Sequence, residues 1–243
     1  MIQVFKNKTE LSKVAADIFT QTAQAAVKEN GRFNVALTGG SSPKDLYELL
    51  TQDEYKNQIP WEQTYIFWGD ERWVPLTDAK SNAKMAYDIL LNKVPVPPDQ
   101  IFPMWDEETP EEFAQQYQHL LQHHFGQTQP KFDLILLGLG DDGHTASLFP
   151  GTSVLEEKEK MVVAYYLEPQ QMFRITLTAP CLNQAKKILF LTFGEQKAPA
   201  LKEILEGALN PAQFPAQLIK PEKGEVIWLV DDAAAKNLNL PSN

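Results

Sequence analysis

Titratable and flexible residues crowd into one stretch of this chain, FDLILLGLGDDGHTASLFPG, from Phe132 to Gly151. Asp141, Asp142 and His144 interleave there with Gly138, Gly140 and Gly143. An imidazole changes charge near neutral pH, and a neighbouring carboxylate can orient it. Glycine lets the backbone turn sharply and come close to a ligand. A site is therefore expected to assemble around His144, with Asp141 or Asp142 as its partner. Phe132 and the apolar run from Leu134 to Leu137 come just before. That run reads as a strand buried on both faces, and open α/β sheets place their chemistry in loops at the carboxyl ends of such strands.

Two other loops offer groups for an anion. Thr38-Gly39-Gly40-Ser41-Ser42-Pro43 leads from an apolar stretch into a helical one. Backbone N–H groups at a helix N-terminus attract anions, and the serine hydroxyls add donors. A plain glycine turn with Ser42 as helix cap fits the same spacing equally well. No Gly-Lys-Ser/Thr follows, so this is not a Walker motif. Gly69-Asp70-Glu71-Arg72-Trp73-Val74-Pro75 is the second loop. Arg72 can fork onto a phosphate or carboxylate, with Asp70 or Glu71 to hold it or to handle a proton. The bland alternative is a solvated charge run.

Other matches fail on chemistry. Gly138-x-Gly140-x-x-Gly143 satisfies the dinucleotide fingerprint by letter, but Asp141 and Asp142 would repel a pyrophosphate. Ser147 follows His144 closely, yet no G-x-S-x-G elbow is present. Asp141, Asp142 and His144 are too nearly consecutive in a tight loop to converge on one ion. His119, His123 and His124 have helical spacing, but their helix lacks the glutamate of the zinc-protease signature and reads as solvent-facing.

Composition narrows the partners. A formal net charge of −10 on 243 residues argues against nucleic acid and against an anionic membrane surface. An anionic small molecule would have to be met by local Arg and Lys. The lone Cys181 permits no internal disulfide and suits a reducing compartment. The N-terminal MIQVFKNKTE has no signal-peptide character, and no apolar run is long enough to span a membrane. A cytoplasmic location is expected.

Helix and strand patterns alternate along the chain. Leu11, Val14, Ala15, Ile18, Phe19, Ala25 and Ala26 mark an amphipathic helix that Gly31 stops. Strands are expected over Phe33–Leu37 and Thr64–Trp68, with a helix from Pro43 to about Leu50 between them. Ser81 or Asn82 caps a helix containing Met85, Ile89 and Leu90, and another helix runs from about Pro110 to Phe125. Met161–Leu167 and Phe173–Leu177 are joined too briefly for a crossover, so they are expected to pair antiparallel. A strand over Lys187–Phe193, a helix over Gly194–Leu205 and a strand over Glu225–Val230 follow, with Asp231 or Asp232 capping a last helix. The fold class is α/β, one domain over 1–243 with a mostly parallel sheet flanked by helices.

In combination, GGSSP, GDERWVP with Ser81-Asn82, GLGDDGHTASLFPG, RITLTAPCLN and GEQKAPAL resemble the 6-phosphogluconolactonase family, in order, from about Val35 to Leu205. The resemblance implies hydrolysis of 6-phospho-D-glucono-1,5-lactone in the oxidative pentose phosphate pathway, without a cofactor; a lactone is activated enough that no metal is expected either. It also implies a fold shared with glucosamine-6-phosphate deaminase. Carried over by motif, His144 is the histidine that activates water, Asp142 or Asp141 orients it, and Arg72 is the arginine of the DER motif. Gly40, Ser41, Ser42, Asp70, Arg174 and Lys197 form the substrate-binding set, with Arg174 and Lys197 as cations for the phosphate. The oligomeric state is not implied. Two rivals stay open: an isomerase or deaminase acting on an amino sugar phosphate, and a sugar-phosphate sensor without turnover. The deaminase group resembles this chain through Asp-Gly-His but carries a carboxylate near the position of Phe149.

Overall fold

The computed structural model describes residues 1–126 and 130–239; residues 240–243, at the end of the expected domain, lie outside them. The strands in chain order are β1 (Ile2–Phe5), β2 (Phe33–Leu37), β3 (Thr64–Trp68), β4 (Asp70–Arg72) and β5 (Leu134–Gly138). They continue as β6 (Val162–Leu167), β7 (Met172–Leu177), β8 (Lys187–Thr192) and β9 (Glu225–Asp231). The helices are α1 (Lys8–Asn30), α2 (Lys44–Leu50), α3 (Asp53–Lys56), α4 (Asn82–Ile89) and α5 (Pro110–Phe125). Then come α6 (Ala179–Leu182), α7 (Ala198–Glu206) and α8 (Asp232–Ala235).

Six strands form a wholly parallel sheet in the order β1-β9-β8-β5-β2-β3. Every residue of β2 is buried, and β5 is buried up to its final glycine. This is why both strands are short runs of apolar side chains rather than alternating ones. Among the described residues no helix is long and apolar enough to cross a membrane.

The helices start and stop where their caps say. Asn7 accepts the Glu10 N–H at the start of α1, and Gly31 ends it in the left-handed conformation at φ 75°. The buried stripe of α1 runs through Leu11, Ala15, Phe19, Ala23 and Ala26, whereas Ala25 is exposed. Alanine carries little phase information, so of the two expected near the end of this helix Ala26 is buried and Ala25 is not, and Ala23 completes the stripe. Asp231, not Asp232, caps α8, accepting the Ala234 N–H at 2.8 Å. Ser42 is not the cap of α2. Pro43 occupies that position with helical angles and no side-chain bond, leaving the Ser42 hydroxyl for other partners.

His124 also departs from expectation. Its helix buries Ala114, Tyr117, Leu121 and Phe125, and the imidazole turns inward with them. Nε2 lies 2.7 Å from Asn34 Oδ1, and the ring packs against Phe67 and Phe102. Burial pushes its pKa down to about 4, so it is a neutral packing residue. His119 and His123 are exposed.

The GDER segment belongs to neither bland nor catalytic expectation alone. Gly69 accepts the Leu177 N–H and donates to Leu37 O, linking the parallel sheet to a second one. There β4 pairs antiparallel with β7, and β7 with β6, as the short connection required. Asp70 and Glu71 are buried, not solvated. Glu71 serves the fold: it accepts the Asn82 N–H at 2.7 Å, the Ala83 N–H at 2.8 Å and the Ser81 hydroxyl at 3.0 Å. It thereby seats the start of α4 on β4.

Glu71→Ala should cost roughly 3 kcal/mol or more, because buried donors left unpaired cost about 1–3 kcal/mol each. Burial pushes the Glu71 carboxyl from 4.5 up to about 7, against the lowering effect of its backbone donors. The folded chain therefore holds this proton to higher pH than the unfolded chain, and the contribution is lost as pH rises through about 7. Urea unfolding should show the gap between wild type and Glu71→Ala narrowing from pH 4.5 to pH 7.

Candidate active site

Strand order reverses between β2 and β5. From β2 the sheet grows through β3 to one edge, and from β5 through β8 and β9 to the other. Loops leaving the carboxyl ends of two such strands diverge and leave a crevice. A cavity of about 230 Å³ lies there. Its walls are the glycine–serine turn after β2, the ends of β4 and β7, the loop after β5 and the turn before α7. Gly40, Ser41, Ser42, Asp70, Arg72, His144, Arg174 and Lys197 all line it. Asp142 stands behind His144.

The imidazole is held from two sides. Asp142 Oδ1 lies 2.5 Å from His144 Nδ1 and also accepts the His144 backbone N–H at 3.0 Å. The Phe149 ring stacks on the face of the imidazole, with centroids 3.9 Å apart and planes 22° from parallel. Nδ1 is thus committed to a carboxylate, and Nε2 is the nitrogen available to a ligand. Partial burial raises the Asp142 carboxyl, but the hydrogen bond and charge of His144 outweigh it and hold it below the ordinary value. Asp141 turns the other way, its Oδ1 lying 2.5 Å from Lys197 Nζ. So Asp142 is the partner of His144, and Lys197 is already paired rather than a free cation. Among the described residues no three His, Cys, Asp or Glu side chains converge as metal ligands.

Glycine makes the dyad possible. A Cβ on Gly140 would sit 2.0 Å from His144 Nδ1 and 2.6 Å from Asp142 Oδ1. Gly143, between the two partners, turns at φ 83°. A Cβ on Gly39 would similarly strike Asn82 Oδ1 at 1.7 Å.

Cations form the facing wall. Arg72 and Arg174 are directly opposite each other in the β4–β7 ladder. Arg174 is 4% exposed, with Nη1 3.9 Å from Asp70 Oδ2 and Nη2 donating to Gln170 Oε1. Arg72 Nη1 donates to Lys80 O at 2.8 Å. The Nε atoms of both arginines are buried without a partner among the described residues. Burial lowers the Arg174 pKa while Asp70 raises it, and a guanidinium stays charged. Two guanidiniums on facing strands, with one buried carboxylate near Arg174, favour an anionic ligand.

Three residues of this wall were not on the expected list. Asn82 was expected as a possible helix cap and as part of the family motif, without a place at the site; its amide donates to Asp70 O at 2.9 Å while its carbonyl oxygen faces Gly39. Ser147 is fully buried and donates to Asp70 Oδ2 at 2.6 Å, which makes it a support for that carboxylate and no nucleophile. Gln170 comes from the tight β6–β7 turn, and only the brevity of that turn hinted at it.

Gly140→Ala should break the Asp142–His144 contact without unfolding the chain. The check is the downfield imidazole N–H proton resonance, which should be lost while far-UV circular dichroism stays unchanged.

Residues 6–228 match the family model described as glucosamine-6-phosphate isomerases/6-phosphogluconolactonase. A 6-phosphogluconolactonase of Synechocystis is 41% identical over 98% of this chain and 98% of its own length. A solved 6-phosphogluconolactonase of Trypanosoma brucei superposes with a TM-score of 0.84 at 28% identity, over 98% of both chains. A solved glucosamine-6-phosphate deaminase shares the fold, with a TM-score of 0.80 at 23% identity over 98% of this chain and 99% of its own. By sequence and by architecture, the chain belongs to the glucosamine-6-phosphate isomerase/6-phosphogluconolactonase family.

Proposed function

We propose that this chain hydrolyses 6-phospho-D-glucono-1,5-lactone to 6-phospho-D-gluconate, the second step of the oxidative pentose phosphate pathway, as one domain over 1–243. Relatives named for that activity align with nearly its whole length. The observation that carries the mechanism is the 2.5 Å contact of Asp142 with His144 Nδ1, which aims Nε2 at the cavity. A lactone is an activated ester, so a positioned base and a few donors suffice to open it.

Neutral His144 takes a proton from a water lying against the lactone carbonyl carbon, and the hydroxide formed adds to that carbon. Asp142 holds the tautomer and stabilises the imidazolium. Arg72 or loop N–H groups stabilise the tetrahedral oxyanion. The intermediate collapses by breaking the bond to the ring oxygen, which takes the proton from His144 and leaves as the C5 hydroxyl. The new carboxylic acid ionises into water. No step calls for a metal or a cofactor. The Gly40-Ser41-Ser42 turn, Arg174 and Lys197 hold the phosphate away from the reacting carbon, so binding energy there positions the carbonyl. Asp70, steadied by Ser147, keeps Arg174 in place.

Phe149 favours this over ring-opening isomerisation. It is stacked on the imidazole, and its hydrocarbon ring can transfer no proton at the position where the deaminase group carries a carboxylate.

His144→Ala should lower kcat by ~10²–10⁴-fold with little change in KM. A near-native kcat would reject His144 as the base. Asp142→Asn should lower kcat with little change in KM, since an amide neither fixes the imidazole tautomer nor stabilises the imidazolium as a carboxylate does. Arg174→Ala should raise KM and weaken inhibition by 6-phosphogluconate roughly tenfold to a hundredfold, the value of one charged hydrogen bond. Equal losses on unphosphorylated gluconolactone would mean that Arg174 does not face the phosphate.

A further inference from the structure

We infer that Asp141 competes with the substrate's phosphate for Lys197, and so sets how tightly phosphorylated ligands are held and how readily the product leaves. The inference rests on the reading of Lys197 as a phosphate ligand and adds a partner exchange to it. Lys197 lines the cavity and Asp141 does not, so their ion pair crosses the rim, ammonium inside and carboxylate outside. The side chain of Lys197 is 24% exposed and that of Asp141 64%. A phosphate dianion entering the cavity draws the ammonium more strongly than one carboxylate does. Asp141, already largely in water, can be released at small cost, as is usual for exposed ion pairs.

The exchange leaves the dyad alone. Asp142 is tied to His144 by its side chain and points away from Asp141's partner. Nor does the acid in Lys197's own turn interfere, because Glu195 is engaged by Lys236. Asp141 therefore weakens every phosphorylated ligand alike, product included. A neutral residue there would tighten the product as well as the substrate and slow turnover when release is limiting.

Calorimetric titration of inorganic phosphate into the intact protein tests this without reliance on activity. Asp141→Asn should tighten phosphate by roughly two- to fivefold, the value of an exposed ion pair. Lys197→Ala should weaken it, and adding Asp141→Asn to Lys197→Ala should restore nothing. Lys197-dependent binding that Asp141→Asn leaves unchanged would overturn the exchange while sparing the phosphate site. A gain that persists in full without Lys197 would overturn it too, placing Asp141's effect directly on the anion. If Lys197→Ala left phosphate binding intact, Lys197 would not be a phosphate ligand and both readings would fall.

Discussion

Everything at this site depends on how closely a carboxylate and an imidazole approach one backbone. The Asp142–His144 pair lies so near Gly140 that a single added carbon would overlap both partners. That contact fixes which imidazole nitrogen faces the cavity, and the stacked Phe149 fixes the plane of the ring. The remaining architecture brings ligand-binding groups to that nitrogen. Parallel pairing of β2, β5 and β8 aligns their carboxyl ends, and the reversal between β2 and β5 opens the crevice. The small second sheet then swings β4 and β7 across, carrying Arg72 and Arg174.

Charge distribution explains how an acidic chain can hold an anion. The net charge of −10 is spread over the whole molecule, while Arg72, Arg174 and Lys197 face one cavity. Burial strengthens these local charges by removing water from around them. It also makes their support costly to lose. Asp70 accepts the Ser147 hydroxyl and lies near Arg174, so one carboxylate offsets part of the arginine pair's charge and leaves the rest for an anion. Glu71, one residue along, faces away and secures α4 instead. Adjacent carboxylates in one short strand thus serve opposite sides of it, as alternation along a strand requires.

Much of this was legible in the sequence. The apolar runs of β2, β3 and β5 marked buried strands because each is short and ends at a glycine-containing turn. Gly31 and Pro110 marked the end of one helix and the start of another through their backbone preferences. His144, Arg72 and the Gly40-Ser41-Ser42 turn, which share one cavity, were singled out because glycine-rich turns at strand ends concentrate chemistry, whereas Arg174 and Lys197 came from the family resemblance. What sequence could not supply was side-chain direction. Asp141 and Asp142 are neighbours of the same type, yet one reaches Lys197 and the other His144. His124 looked solvent-facing because its neighbours are Gln and His, yet its rotation on α5 put it against Asn34. Ser147, Asn82 and Gln170 join the wall through contacts across the fold, which no local pattern encodes.

The central claim is that this cavity opens a lactone that carries a phosphate, using the phosphate to place the carbonyl. The most direct test is the rate at which purified protein opens freshly generated 6-phosphogluconolactone and unphosphorylated gluconolactone, each against its own spontaneous rate in the same buffer. The account predicts strong acceleration of the phosphorylated lactone and little of the other. Equal acceleration of both, or none above the spontaneous rate for the phosphorylated lactone, would contradict it.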